Sequence, residues 1–152
     1  MKSAILLAAT LAATAALADS PMSAMKGKMK DGLYSYKMEM DMGQMPGMPA
    51  GMGKQTMSFE HCLTQKDIEK GELGKRREDR PADCEIKDFK MSGNTASYRM
   101  VCKGEGAMTA ENTITFIPDG YSMVMKMAMN HDGQKMNMTQ NMQAKYLGPC
   151  KK

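Results

Sequence analysis

Met123, Met125, Met127 and Met129 occupy every second position after Gly120; Asp132-Gly133 follows, and Met136, Met138 and Met142 continue the run. A period of two marks a strand whose two faces differ, and Asp-Gly between two such runs is a hairpin signal. With Asp132 and Gly133 as a two-residue turn, Met129 faces Met136, Met127 faces Met138 and Met123 faces Met142. One side of this hairpin is then nearly all thioether, and the rest of the chain must either cover that side or use it.

Methionine is abundant enough to matter everywhere, at 21 of 152 residues. The ordinary aliphatic and aromatic core residues are few once the first 18 positions are set aside, a composition that without another apolar source would point to disorder. Methionine supplies that source. Its flexible side chain fills space but specifies packing weakly, so covalent cross-links carry more of the burden.

Residues 1–18 read as a cleaved signal peptide: Lys2, a small apolar run from Ala4 to Ala16, and Ala16-Leu17-Ala18 as the cleavage pattern, with the mature chain starting at Asp19. A periplasmic or secreted location follows. No cysteine succeeds the cleavage site to carry a lipid, and no later apolar run reaches the roughly 20 residues of a membrane helix. Cys62, Cys84, Cys102 and Cys150 all lie in the exported part, so two disulfides are expected. Three connectivities exist. Spacing favours Cys84–Cys102, which flank a predicted hairpin symmetrically, with Cys62–Cys150 tying the first half of the domain to its end.

Residues 19–31 lack a period and read as a flexible arm; residues 32–150 make a single domain. Tyr34, Tyr36, Met38, Met40 and Met42 alternate with polar residues as a half-buried strand. The stretch Gly43–Gly53, with two prolines, cannot be regular. A second strand is expected from Lys54 to His61. Thr64-Gln65-Lys66-Asp67 is an N-cap signal for a helix of two turns at most, ending by Gly71. Glu72–Asp83 interleaves both charge signs and reads as a solvated loop. Cys84–Cys102 folds back on a three-residue loop centred on Gly93, which sets Ile86 opposite Met100 and Cys84 opposite Cys102. Pro118-Asp119-Gly120 is a turn with two candidate registers: Asp119-Gly120 as the turn sets Phe116 against Met123, and Pro118-Asp119 at the corners with Gly120 as a bulge shifts the pairing by one.

The segments Lys30-Asp31-Gly32-Leu33-Tyr34, Met45-Pro46-Gly47-Met48-Pro49, Cys62-Leu63-Thr64, Ser92-Gly93-Asn94-Thr95 before Met100-Val101-Cys102, and Leu147-Gly148-Pro149-Cys150 together resemble a bacterial exported family, domain of unknown function 3617. The likeness implies an exported, disulfide-bearing β-rich domain and brings no catalytic positions. The residues themselves lead to an all-β fold: an antiparallel meander of about seven strands forming a sandwich or partly closed barrel, with one short helix.

Lys and Arg number 21 against 17 Asp and Glu, a balance without the electrostatic footprint of a nucleic-acid binder. His61 and His131 are the only histidines, and no nucleophile motif or phosphate-cradling glycine run accompanies them, so the chain reads as non-enzymatic. A binding or structural role in the cell envelope is expected, toward a small ligand or an envelope protein. Two chemistries suit the sulfurs. Met42, Met45, Met48 and Met52 could converge on Cu(I) or Ag(I), because thioethers select soft ions. Alternatively Met123, Met125, Met127, Met129, Met136 and Met138 could line a cavity for an apolar molecule. No other cofactor is implied.

Overall fold

The computed structural model describes residues 21–43, 53–69, 73, 84–104, 107–131 and 134–151. Seven antiparallel strands form one sheet: β1 (Gly32–Asp41), β2 (Lys54–Leu63), β3 (Cys84–Ser92), β4 (Thr95–Cys102), β5 (Met108–Ile117), β6 (Gly120–His131) and β7 (Gln134–Gly148). Their spatial order is β2-β1-β7-β6-β5-β4-β3, which leaves β2 and β3 as the two edges. The fold is therefore an open single sheet; the two-sheet sandwich also allowed by the strand spacing does not form.

This order follows from one crossing. After the β1–β2 hairpin the chain must travel from one sheet edge to the other before the β3–β7 meander returns it to β1. The described part of that connection, helix α1 (Gln65–Glu69) and Leu73, packs against the core: Ile68 is fully buried beside Leu63 at the end of β2, and Leu73 is 3 % exposed. Thr64 caps α1 as anticipated: its Oγ1 accepts from the Asp67 N–H at 3.2 Å, and Asp67 Oδ2 accepts from the Thr64 N–H at 2.9 Å.

Residues 21–29, expected as part of an arm, instead lie against the core. A 3-10 helix spans Pro21–Met25, and Met22, Met25 and Met29 are all buried, packed in the same cluster as Ile68 and the sheet interior. Met22 and Met25 are three apart on the 3-10 helix and Met29 follows its turn, a spacing that a search for strand alternation passes over.

The β6–β7 register agrees with the sequence reading: Met129 pairs with Met136, Met127 with Met138 and Met123 with Met142. His131 pairs with Gln134, so two residues connect the strands. At the β5–β6 connection Ile117 pairs with Gly120 and Phe116 with Tyr121, placing Pro118 and Asp119 at the corners. Gly120 joins the ladder rather than bulging, and relative to an Asp119-Gly120 turn the pairing moves by two residues, so every side chain keeps its face. Gly120 has φ 154°, and a Cβ there would overlap the Ala144 carbonyl oxygen, so the crowding of β7 against this turn requires glycine.

In the β3–β4 hairpin Cys84 opposes Cys102 and Ile86 opposes Met100, but the path between differs from expectation. Ser92 pairs with Thr95, giving a two-residue turn, and a bulge between Lys87 and Lys90 restores the register. Asp88 in the bulge has φ 54°, a conformation Asp tolerates, and its carboxylate pairs with Arg99 Nη2 at 2.5 Å. Both disulfides form, Cys62–Cys150 and Cys84–Cys102, and each fastens an edge strand.

Candidate binding site at the methionine end of the sheet

Cross-strand register sorts the interior face into rows. At one end the row is aromatic: Phe59, Tyr36, Ala144, Tyr121 and Phe116 lie side by side on β2, β1, β7, β6 and β5. Tyr36 stacks on Phe59 at 5.0 Å between centroids, and Tyr34 meets Tyr146 edge-on at 5.4 Å. The Tyr121 hydroxyl donates to the Tyr36 hydroxyl oxygen at 3.3 Å, and that of Tyr34 to the Lys30 carbonyl at 2.8 Å. Burial pushes Tyr36 up to about 12 and raises Tyr121 and Tyr34 above the ordinary tyrosine value. Residues 27–30 close over this end, where Gly27, Lys28, Met29 and Lys30 share a cleft of about 310 Å³ with Tyr34, Phe116 and Tyr146.

The middle row is a methionine core. Met38, Met142, Met123 and Ile114 are neighbours across four strands, and all are at most 8 % exposed. Of the six hairpin methionines proposed to line a cavity, Met123 in this row and Met125 in the next are buried in the interior. The next row sets Gln140, Met125 and Asn112 side by side, and both amides are buried. Asn112 Nδ2 donates to the Ala110 carbonyl at 3.3 Å, while its Oδ1 has no hydrogen-bond partner. Sequence reading missed both amides, because in β5 and β7 an Asn or Gln on the apolar side simply looks like imperfect alternation.

Beyond that row the face opens. Met127 opposes Met138, Met129 opposes Met136, and Met108 lies on the other side of Met129. Met100 lies next to Ala110, which separates it from Met127. All six methionines are only partly buried. The structure thus divides one alternating pattern into two sets, Met123, Met125 and Met142 inside and Met127, Met129, Met136 and Met138 at the rim.

Of the proposed soft-metal set, Met42 is partly buried just past β1, and Met45, Met48 and Met52 lie outside the described residues. The two stems of that loop are held together by the Met42 N–H donating to the Gly53 carbonyl at 2.8 Å. A Cβ on Gly43 would sit 3.3 Å from the Asn137 carbonyl oxygen, so the loop departs from the same sheet end as Met136 and Met138. Among the described residues no three His, Cys, Asp or Glu side chains come together to hold a metal, and no helix is long and apolar enough to cross a membrane.

The sequence model of a family described as a protein of unknown function, DUF3617, matches residues 29–150. The chain belongs to that family. The DUF3617 match starts at Met29, the last of the three N-terminal methionines packed into the core, and ends at Cys150 of the long disulfide. No curated protein and no solved structure matches the chain.

Proposed function

We propose that this DUF3617 protein is an exported, non-enzymatic binding domain of the cell envelope that takes its guest at the methionine end of the interior face. One observation carries the reading: within β6 the same face passes from Met123 and Met125, 3 % and 4 % exposed, to Met127 and Met129, which are only partly covered. Large apolar side chains on an interior face are normally covered, and a contiguous group left half-open marks an interaction site. Export is supported by the signal-like residues 1–18 and by two disulfides, which persist in oxidising compartments.

The test is native mass spectrometry of protein taken directly from its source, combined with brief peroxide exposure and peptide mapping. A retained mass is expected, with Met127, Met129, Met136 and Met138 oxidising more slowly in the native isolate than after the guest is stripped. Repeated recovery of empty protein, with the same oxidation pattern before and after stripping, would sink the reading.

A small apolar molecule is a second reading of the guest. It is favoured by the breadth of the half-buried lining, which continues through Met40 on β1 and through Met100 and Ile86 on β4 and β3. Enhancement of N-phenyl-1-naphthylamine fluorescence on binding, lost when Met100 and Met127 are replaced by polar residues, is the result expected of that guest.

A further inference from the structure

We propose that Met127, Met129, Met136 and Met138 form a site for one soft monovalent cation, Cu(I) or Ag(I), a guest assignment that presupposes the binding role given above. The four are two directly opposed pairs on neighbouring strands, so their side chains leave the same face as a two-by-two array. Opposed Cβ atoms on such a face lie about 4.5–5.5 Å apart, and next-but-one residues along a strand about 7 Å apart. Each thioether swings on three rotatable bonds, enough to bring three or four sulfurs onto a central ion. Met108, opposite Met129, stands beside the array as a fifth donor.

Three features decide the class of ion. Thioether sulfur is a soft, neutral donor, and it selects Cu(I)-like ions over Mg, Ca or Mn, which seek carboxylate and carbonyl oxygens. Among the described residues the array has no acidic neighbour on its face; Ala110 and Met108 adjoin it on β5, and the Cys84–Cys102 disulfide lies beyond Met108 on β4 and β3. A divalent ion would therefore find no charge to balance it, whereas a monovalent one needs less. Finally, all five sulfur-bearing side chains are partly exposed, so an ion reaches them without opening the core that holds Met123, Met125 and Met142.

A plain packing role is the competing account. Leucine would serve packing equally well at half-covered positions, which makes leucine the informative replacement. The mature chain, both disulfides intact, is titrated anaerobically with Cu(I) in ascorbate against a colorimetric Cu(I) chelator. One equivalent is expected to bind, with X-ray absorption showing a sulfur-only shell. Met127→Leu with Met138→Leu should weaken binding at least tenfold, and leucine at all four positions should abolish it. Met123→Leu with Met142→Leu in the core, and Met45→Leu with Met48→Leu and Met52→Leu in the loop, should leave it unchanged. Unchanged affinity in the fourfold variant, or loss in the loop variant alone, overturns the site.

A measurement on the unaltered chain covers the case in which the fourfold variant does not fold. Ag(I) should slow peroxide oxidation of Met127, Met129, Met136 and Met138 while leaving exposed Met57 reactive, and uniform oxidation with and without Ag(I) overturns the proposal. If the end captures N-phenyl-1-naphthylamine but neither cation, the cation assignment falls and the binding role stands. If neither the cations, the probe nor a native guest engages it, both fall.

Discussion

A single step along β6, from Met125 to Met127, separates a core residue from a rim residue of identical chemistry, and truncation should register the difference. Met123→Ala removes a side chain 3 % exposed in a close-packed row and is expected to cost about 2–5 kcal/mol, the range for emptying a core site. Met127→Ala, at the half-open end, should cost under about 1 kcal/mol, because the side chain is already partly in water and solvent fills what is lost. Urea midpoints at constant m-value compare the two, and equal losses would mean that the rim is as tightly packed as the core. Tyr36 gives a second prediction at this scale. It is fully buried, and desolvation lifts it to about 12. A group whose pKa rises on folding binds its proton more tightly in the native state, so stability is intact below about pH 10 and falls as pH climbs toward 12. Two units correspond to roughly 3 kcal/mol at most, with Tyr121 and Tyr34 acting in the same direction. Denaturation midpoints measured between pH 9 and 12 should therefore drop, and Tyr36→Phe should flatten the decline.

Elements differ in how far their sequence announces them. The β6–β7 register was legible because a two-residue turn and strict alternation are both local, and together they fix every pair. Alternation assigns a face but not a depth, which is why Met123 and Met127 look alike on paper. In β3–β4 the paired ends at Cys84 and Cys102 were legible and the path was not, since a tighter turn and the Asp88 bulge offset each other. The neighbourhood of β1 and β7 had no local signal, because pairing across a hundred residues depends on the whole topology. The 3-10 segment is the element whose importance was least apparent. Deleting the chain through Met29 takes Met22, Met25 and Met29 off the interior and uncovers Ile68 and the aromatic end. That truncation is expected to lower the melting temperature by about 10 °C or more, with increased binding of a hydrophobic dye. An unchanged melting curve would show that the segment contributes nothing to the core.

Over the whole molecule, the open sheet poses a problem that the disulfides answer. A seven-stranded sheet that does not close presents two edges, and unpaired edges invite pairing with other chains. β3 carries a bulge and a bridge to its neighbour β4, so its edge is both bent and pinned. β2 keeps an unbroken ten-pair register with β1 and lacks a bulge; it is guarded by the exposed charges Lys54 and Glu60 and by Cys62, bridged past β1 to Cys150 beyond the end of β7. That bridge closes a separation of 88 residues against 18 for the other. In the chain-entropy account the long loop contributes about 4.6 kcal/mol and the short one about 3, although part of the effect is enthalpic. Replacing Cys62 and Cys150 together by serine should therefore lower stability more than replacing Cys84 and Cys102. It should also release the flatter edge, so aggregation on warming, followed by light scattering, is expected first in that variant. Equal melting temperatures and equal scattering for the two pairs would mean that neither loop length nor edge protection governs how this sheet holds together, and that the methionine interior is sufficient by itself.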